Sequence, residues 1–131
     1  MDTHQKGYIA EVQVELAASK KGWICSRPTR TTRYDLILDD GRKLYRTQVK
    51  YLTSLSTKTD GAYCLTFGNG VGSPDTYTKS EIDLILVYLP KSDQVVRIEP
   101  KEFSGKKSIN IRFEPPQNNH KGVFMAEEHL F

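Results

Sequence analysis

The sequence holds only two cysteines, Cys25 and Cys64, far apart and outside any Cys-x-x-Cys spacing, so no disulfide framework, thiolate zinc site or redox pair organises it. Both read as reduced core residues. The three histidines, His4, His120 and His129, lack zinc-type spacing and read as surface residues. Long apolar runs are missing too. The longest, Leu84 to Leu89, falls far short of the roughly 20 residues of a membrane-spanning helix, and Met1 to Lys6 carries no apolar signal core. A soluble, cytoplasmic protein without a membrane partner is expected. Net charge is only +3, so bulk charge says nothing about nucleic acid and the clustering of cations becomes the question.

What is present suits one folded unit. With 131 residues, 37% hydrophobic and 27% charged, the chain can bury its own core, and a single domain spanning 1–131 is expected. No internal repeat or low-complexity tract is visible. Asp2 or Thr3 caps a helix running to Lys21, with Ile9, Val12, Leu16 and Ala17 on one stripe and Gly22 as the stop. Trp23 to Cys25 reads as a short buried strand, followed by a polar loop from Ser26 to Arg33. Tyr34–Asp39 and Lys43–Leu52 read as antiparallel strands turning at Asp40-Gly41, where positive φ is needed. Tyr63–Phe67 reads as a third hairpin-type strand, followed by a Gly-rich loop from Gly68 to Ser80. Ile82–Leu89 is apolar at nearly every position, as in a strand covered on both faces, and turns into Gln94–Glu99; these two are expected at the centre of the sheet. Ile109, Ile111 and Phe113 alternate on a last strand, Pro115–Asn119 is loop, and Met125–Phe131 reads as a closing helix.

Strand alternation puts Arg46, Gln48 and Lys50 on one face. If the hairpin loop has two or four residues, Asp35 has a cross-strand partner of even number and projects from that face; a three-residue loop breaks this geometry. A carboxylate, an amide and an ammonium then converge. Unpaired buried charge is costly, and a divalent metal on Asp35 would offset it while Lys50 stabilises negative charge or orients a water. That is the chemistry of phosphodiester hydrolysis.

Glu11 within Lys6-Gly7-Tyr8-Ile9-Ala10-Glu11, then Tyr34-Asp35-Leu36-Ile37, then Gln48-Val49-Lys50, resembles the PD-(D/E)XK nuclease pattern in order and in supporting elements over roughly the first 55 residues. Gln48 departs from the usual acidic residue and is similar to a Gln-x-Lys branch containing some intron-encoded homing endonucleases and bacterial relatives. Tyr77, Glu81–Leu84 and Lys121-Gly122 add a looser likeness. The resemblance implies an α/β restriction-endonuclease-like domain with a mixed central sheet and the N-terminal helix packed on it. It also implies a Mg²⁺-dependent DNA endonuclease, with Mn²⁺ as a substitute. In that reading Glu11, Asp35, Gln48 and Val49 hold the metal, and Glu11, Asp35, Gln48 and Lys50 form the catalytic set.

Each residue alone has a plainer reading: Glu11 as a solvated helix residue, Gln48 and Lys50 as an exposed sheet face. Only their combination promotes them. Arg27, Arg30 and Arg33 recur every three residues beside the site and can meet phosphate oxygens, with Lys106, Lys107 and Arg112 extending that surface. Gly68-Asn69-Gly70-Val71-Gly72 lacks the spacing of a nucleotide-binding loop and suits a DNA-facing one. Leu130 and Phe131 tuck onto the core or seal an interface, and duplex cleavage favours a homodimer or homotetramer. Two rivals stand beside this reading: a Holliday-junction-resolvase-like enzyme selecting branched DNA, and a non-catalytic nucleic-acid-binding module motivated by Gln48.

Overall fold

The computed structural model of the chain describes residues 1–53, 61–68, 76–115 and 122–131. Most of the expected Gly68–Ser80 and Pro115–Asn119 loops, with His120 and Lys121, lies outside the described residues. Helix α1 spans Thr3–Lys20. A reciprocal capping box starts it: the Gln5 N–H donates to Asp2 Oδ1 at 2.8 Å and the Asp2 N–H to Gln5 Oε1 at 3.1 Å. Gly22, at φ 83°, ends it in the left-handed conformation, where its N–H reaches Ser19 O (2.9 Å) and that of Trp23 reaches Ala18 O (3.0 Å).

The buried stripe of α1 is Ala10, Val14 and Ala18, not the expected Val12 and Leu16, which are 38% and 48% exposed. Small side chains win this face because the helix lies close across the sheet. Tyr8, Val12 and Leu16 form a second, outward stripe.

In chain order the strands are β1 (Ile24–Ser26), β2 (Leu36–Asp39), β3 (Leu44–Tyr51), β4 (Ala62–Thr66), β5 (Leu84–Leu89), β6 (Gln94–Ile98), β7 (Ser108–Arg112) and β8 (Phe124–Met125). A short helix α2 (Pro100–Phe103) precedes β7. The larger sheet has the order β1-β2-β3-β5-β6, with β3 and β5 parallel and the other pairs antiparallel. In the smaller sheet β4 pairs antiparallel with β7, and β7 parallel with β8.

One core joins α1 to the larger sheet through Ala10, Val14, Leu36, Leu38, Leu84 and Leu86. The other joins the opposite face of that sheet to the smaller one through Ile85, Val87, Leu89, Ile98, Phe67 and Ile111. Strand β5, covered on both faces, is buried at all six positions, as its unbroken apolar run predicts.

Several expectations are corrected. Strand β1 is an edge strand with Ile24 64% exposed, because Cys25 alone of its residues packs on the α1 core. Cys64 is exposed on the outer face of β4, and both cysteines are free. Strand β6 lies at an edge, not the centre. The C-terminus covers that edge as an extended tail after a 3₁₀ turn (Ala126–Glu128), in place of a closing helix: Arg97 N–H donates to His129 O (2.7 Å) and Phe131 N–H to Val95 O (2.9 Å). Phe131 thereby meets Trp23 edge-on at 5.2 Å. No described helix is long and apolar enough to cross a membrane.

Candidate active site

The β2–β3 hairpin sets the geometry. Its connection, Asp40–Lys43, is pinned by Asp40 Oδ1, which accepts from the N–H groups of Arg42 (2.8 Å) and Lys43 (2.7 Å), while Gly41 supplies φ 94°. Asp39 therefore opposes Leu44, a four-residue loop, and Leu36 opposes Thr47. Asp35 N–H also reaches Thr47 O at 2.9 Å, so two residues of this strand stand against one, as in a β-bulge. The irregularity turns the Asp35 carboxylate inward, where Oδ2 accepts the Val49 N–H at 2.9 Å. Strict alternation does not continue to Asp35, yet its side chain still arrives at the Gln48–Lys50 segment.

On β3, Gln48 and Lys50 stand beside Ile85 and Val87 of β5, whose side chains belong to the core between the sheets. Gln48 is only 8% exposed, and its Nε2 donates to Val49 O at 3.3 Å. Glu11, half-buried on α1, meets Arg27 Nε at 3.9 Å, and Arg27 makes a closer pair with Glu15 at 3.1 Å. Glu15, one turn beyond Glu11, was missed in the sequence, although the i, i+4 spacing places the two on one face. Thr3, His4, Gly7, Tyr8, Glu11, Glu15 and Arg27 line a groove of about 360 Å³ there.

The charges feel one another. Burial raises the Glu11 pKa, the Asp35 charge adds to the rise, and Arg27 opposes it. Burial likewise raises Asp35 against the Val49 hydrogen bond and Lys50. Lys50 is lowered by burial, with Asp35 opposing and Arg33 assisting.

The expected DNA-facing cations divide. Arg30, Lys106 and Lys107 are exposed. Arg27 is held by the two glutamates of α1. Arg33 turns inward, its Nη2 donating to Thr76 O at 2.8 Å and its Nε lying 3.5 Å from Glu81 Oε2. Arg112 is 9% exposed and donates from Nε to Glu114 O, so it is a buried residue and no part of a cationic surface.

Among the described residues no three His, Cys, Asp or Glu side chains gather where a metal could be held. Glu11 and Asp35 give two carboxylates, and Gln48 and Val49 give neutral carbonyl oxygens. These are hard oxygen donors of the kind that could hold a divalent cation, and such ions commonly bind through one or two carboxylates. The raised carboxyl pKa values express the repulsion and desolvation that a cation would relieve.

Comparisons with known proteins follow the same lines. The sequence profile of a family described as PD-(D/E)XK endonuclease matches residues 1–131. No curated protein matches. Among solved structures, the bacterial homing endonuclease I-Ssp6803I superposes with a TM-score of 0.75 at 21% identity, covering 99% of this chain and 89% of that one. Hjc, a Holliday junction resolvase of Archaeoglobus fulgidus, gives 0.49 at 17% identity, covering 82% and 84%. The first likeness shows a shared restriction-endonuclease-like fold.

Proposed function

Because the chain belongs to the PD-(D/E)XK endonuclease family, we propose that it is a divalent-metal-dependent DNA endonuclease whose site is built from Glu11, Asp35, Gln48 and Lys50. One observation carries this reading: the bulged start of β2 holds the Asp35 carboxylate on Val49 N–H, within electrostatic reach of both Glu11 and Lys50. Mg²⁺, or Mn²⁺ in its place, held by Glu11, Asp35 and the carbonyl oxygens of Gln48 and Val49, would supply Lewis-acid stabilisation of the phosphate and a more acidic water. Lys50, partly buried and drawn toward Asp35, places a fixed positive charge where the phosphate gains negative charge. Arg27, Arg30, Lys106 and Lys107 take the flanking backbone phosphates, and Arg33 adds positive potential from behind. The active species in this reading is a homodimer or homotetramer, since one site cuts one strand; the outward Tyr8–Val12–Leu16 stripe offers apolar surface for assembly.

The test is plasmid cleavage with Mg²⁺ or Mn²⁺ by the wild type, Asp35→Asn and Lys50→Ala, with EDTA controls. The wild type should nick or linearise DNA only with metal. Both variants should lose at least about a hundredfold in rate while Asp35→Asn still binds DNA. Normal cutting by Asp35→Asn would remove the site assignment. A second reading, binding without cleavage, is favoured by Gln48 alone, whose amide is bonded to the neighbouring Val49 carbonyl and adds no charge. It requires salt-sensitive DNA binding with no cutting under any metal.

A further inference from the structure

Tyr77 was only a loose element of the sequence pattern, yet two cations meet its ring. The Arg33 guanidinium lies 4.2 Å from the ring centroid and the Lys50 ammonium 5.5 Å. The ring is a fixed wall: Tyr77 is 2% exposed, meets Phe67 edge-on at 6.2 Å, and is tied through its backbone to the turn after α2, where Gly105 N–H donates to Tyr77 O at 2.9 Å.

Arg33 is fixed as well. Thr76 O accepts from its Nη2, and Glu81 faces its Nε at 3.5 Å. Glu81 is itself held, its Oε1 accepting from Thr78 N–H and Thr78 Oγ1, both at 3.1 Å. The Arg33 Nε is buried without a hydrogen bond, so the ion pair and the ring hold the guanidinium at the expense of a satisfied donor. A surface arginine waiting for phosphate would keep that group in water.

Two like charges against one ring repel each other, and the tethered one does not yield. Lys50 thus shares the ring with a fixed cation that repels it, while the Asp35 carboxylate attracts it. We infer that Arg33 and Tyr77 are positioning residues that hold the Lys50 ammonium toward Asp35, a role resting on the nuclease reading above and distinct from contact with DNA.

The test joins two readouts on Arg33→Gln, Arg33→Lys and Tyr77→Phe. The first is the ring-current shift of the Lys50 ε-methylene protons in NMR spectra of the metal-free protein, assigned by comparison with Lys50→Arg. The second splits single-turnover cleavage rate from DNA affinity measured with Ca²⁺. Arg33→Gln should move the Lys50 resonance toward that of free lysine and slow cleavage about tenfold, with affinity kept within about twofold. It should slow cleavage no further in a Lys50→Ala background, as residues acting as a unit behave. Tyr77→Phe, which keeps the ring, should resemble wild type, and Arg33→Lys should fall between. An unmoved Lys50 resonance in Arg33→Gln, or a loss confined to DNA affinity, overturns the inference. If the wild type cuts no DNA, the nuclease reading fails while the resonance still decides whether Arg33 places Lys50.

Discussion

Replacing Asp35 with asparagine separates the burden of the site's charge from its use. Asparagine can still accept the Val49 N–H that Asp35 accepts at 2.9 Å, so the start of β2 keeps its anchor. What disappears is a carboxylate whose pKa is raised, chiefly by burial, despite that hydrogen bond and the nearby Lys50. A folded-state pKa above the unfolded one means that the native chain binds this proton more tightly. The stability from this group is therefore full below the unfolded pKa, is lost as pH rises through the folded pKa, and is absent above it. The metal-free variant should then be more stable than wild type at pH 7, and the difference should vanish at acid pH. The gain is limited because a hydrogen bond to a charged acceptor, worth about 1.5–3 kcal/mol, becomes a neutral one worth about 1. A net of roughly 1 kcal/mol would raise Tm by about 4 °C for a chain of this length.

Metal reverses the order. A cation at a hundred times its Kd stabilises the binding-competent fold by about 2.7 kcal/mol, or roughly 10 °C, and should do so for wild type but not for Asp35→Asn. Thermal melts by circular dichroism, with EDTA and with Mg²⁺ or Mn²⁺ at several pH values, decide the matter. If Asp35→Asn melts below wild type at pH 7 without metal, the burial cost of Asp35 does not stand; if metal raises both equally, its ligand role does not.

Two further outcomes follow from other parts of the fold. In the metal-free protein Glu11 and Asp35 should take up protons at a pH above the ordinary carboxylate value of about 4, because both are raised by burial and Glu11 also by Asp35; side-chain carboxyl carbon shifts in NMR spectra against pH without metal would show it, and titration at the ordinary value would count against the burial of both. Gly22→Ala should cost about 1 kcal/mol and lower Tm by roughly 4 °C through backbone strain alone, since φ is 83° and nothing lies within 4 Å of the added Cβ; an unchanged Tm would mean that the α1 terminus relaxes out of the left-handed cap.

What was legible in the sequence was whatever rests on local rules. The α1 caps, the Asp40-Gly41 turn and the doubly covered β5 are each written in residues adjacent along the chain. The orientation of α1 was not, because Val12 and Leu16 are better apolar residues than Ala10 and Ala18, and only the closeness of the sheet makes small side chains the buried ones. Strand β4 reads like its neighbours, but nothing local says that it pairs with β7, more than forty residues on. The tail over β6 was hidden for a related reason: Met125–Phe131 has no strand alternation, and its extended form is imposed by the open edge it covers. The Arg33–Tyr77–Glu81 arrangement joins separate segments, and at most Thr78-Lys79-Ser80-Glu81, with its capping-box spacing, marked one end of it.

The candidate site is where several local rules fail together. Asp35 leaves the register of its own hairpin. Gln48 and Lys50 occupy a face whose neighbours, Ile85 and Val87, are fully buried core residues, where valine or isoleucine would satisfy the strand. Glu11 and Asp35 each carry a charge that burial disfavours, and the Asp35 charge makes that of Glu11 harder to hold. A chain under selection for stability alone would replace any one of these residues without disturbing the remaining core, so four departures at separate sequence positions need not converge in space. Asp35 accepts the N–H of Val49, which lies between Gln48 and Lys50 on β3, and it couples electrostatically with Glu11 and Lys50; the residue types are complementary: two carboxylates, an amide and an ammonium. On the function proposed above, a metal cation bound to an anionic phosphodiester would relieve this concentration of buried polar groups.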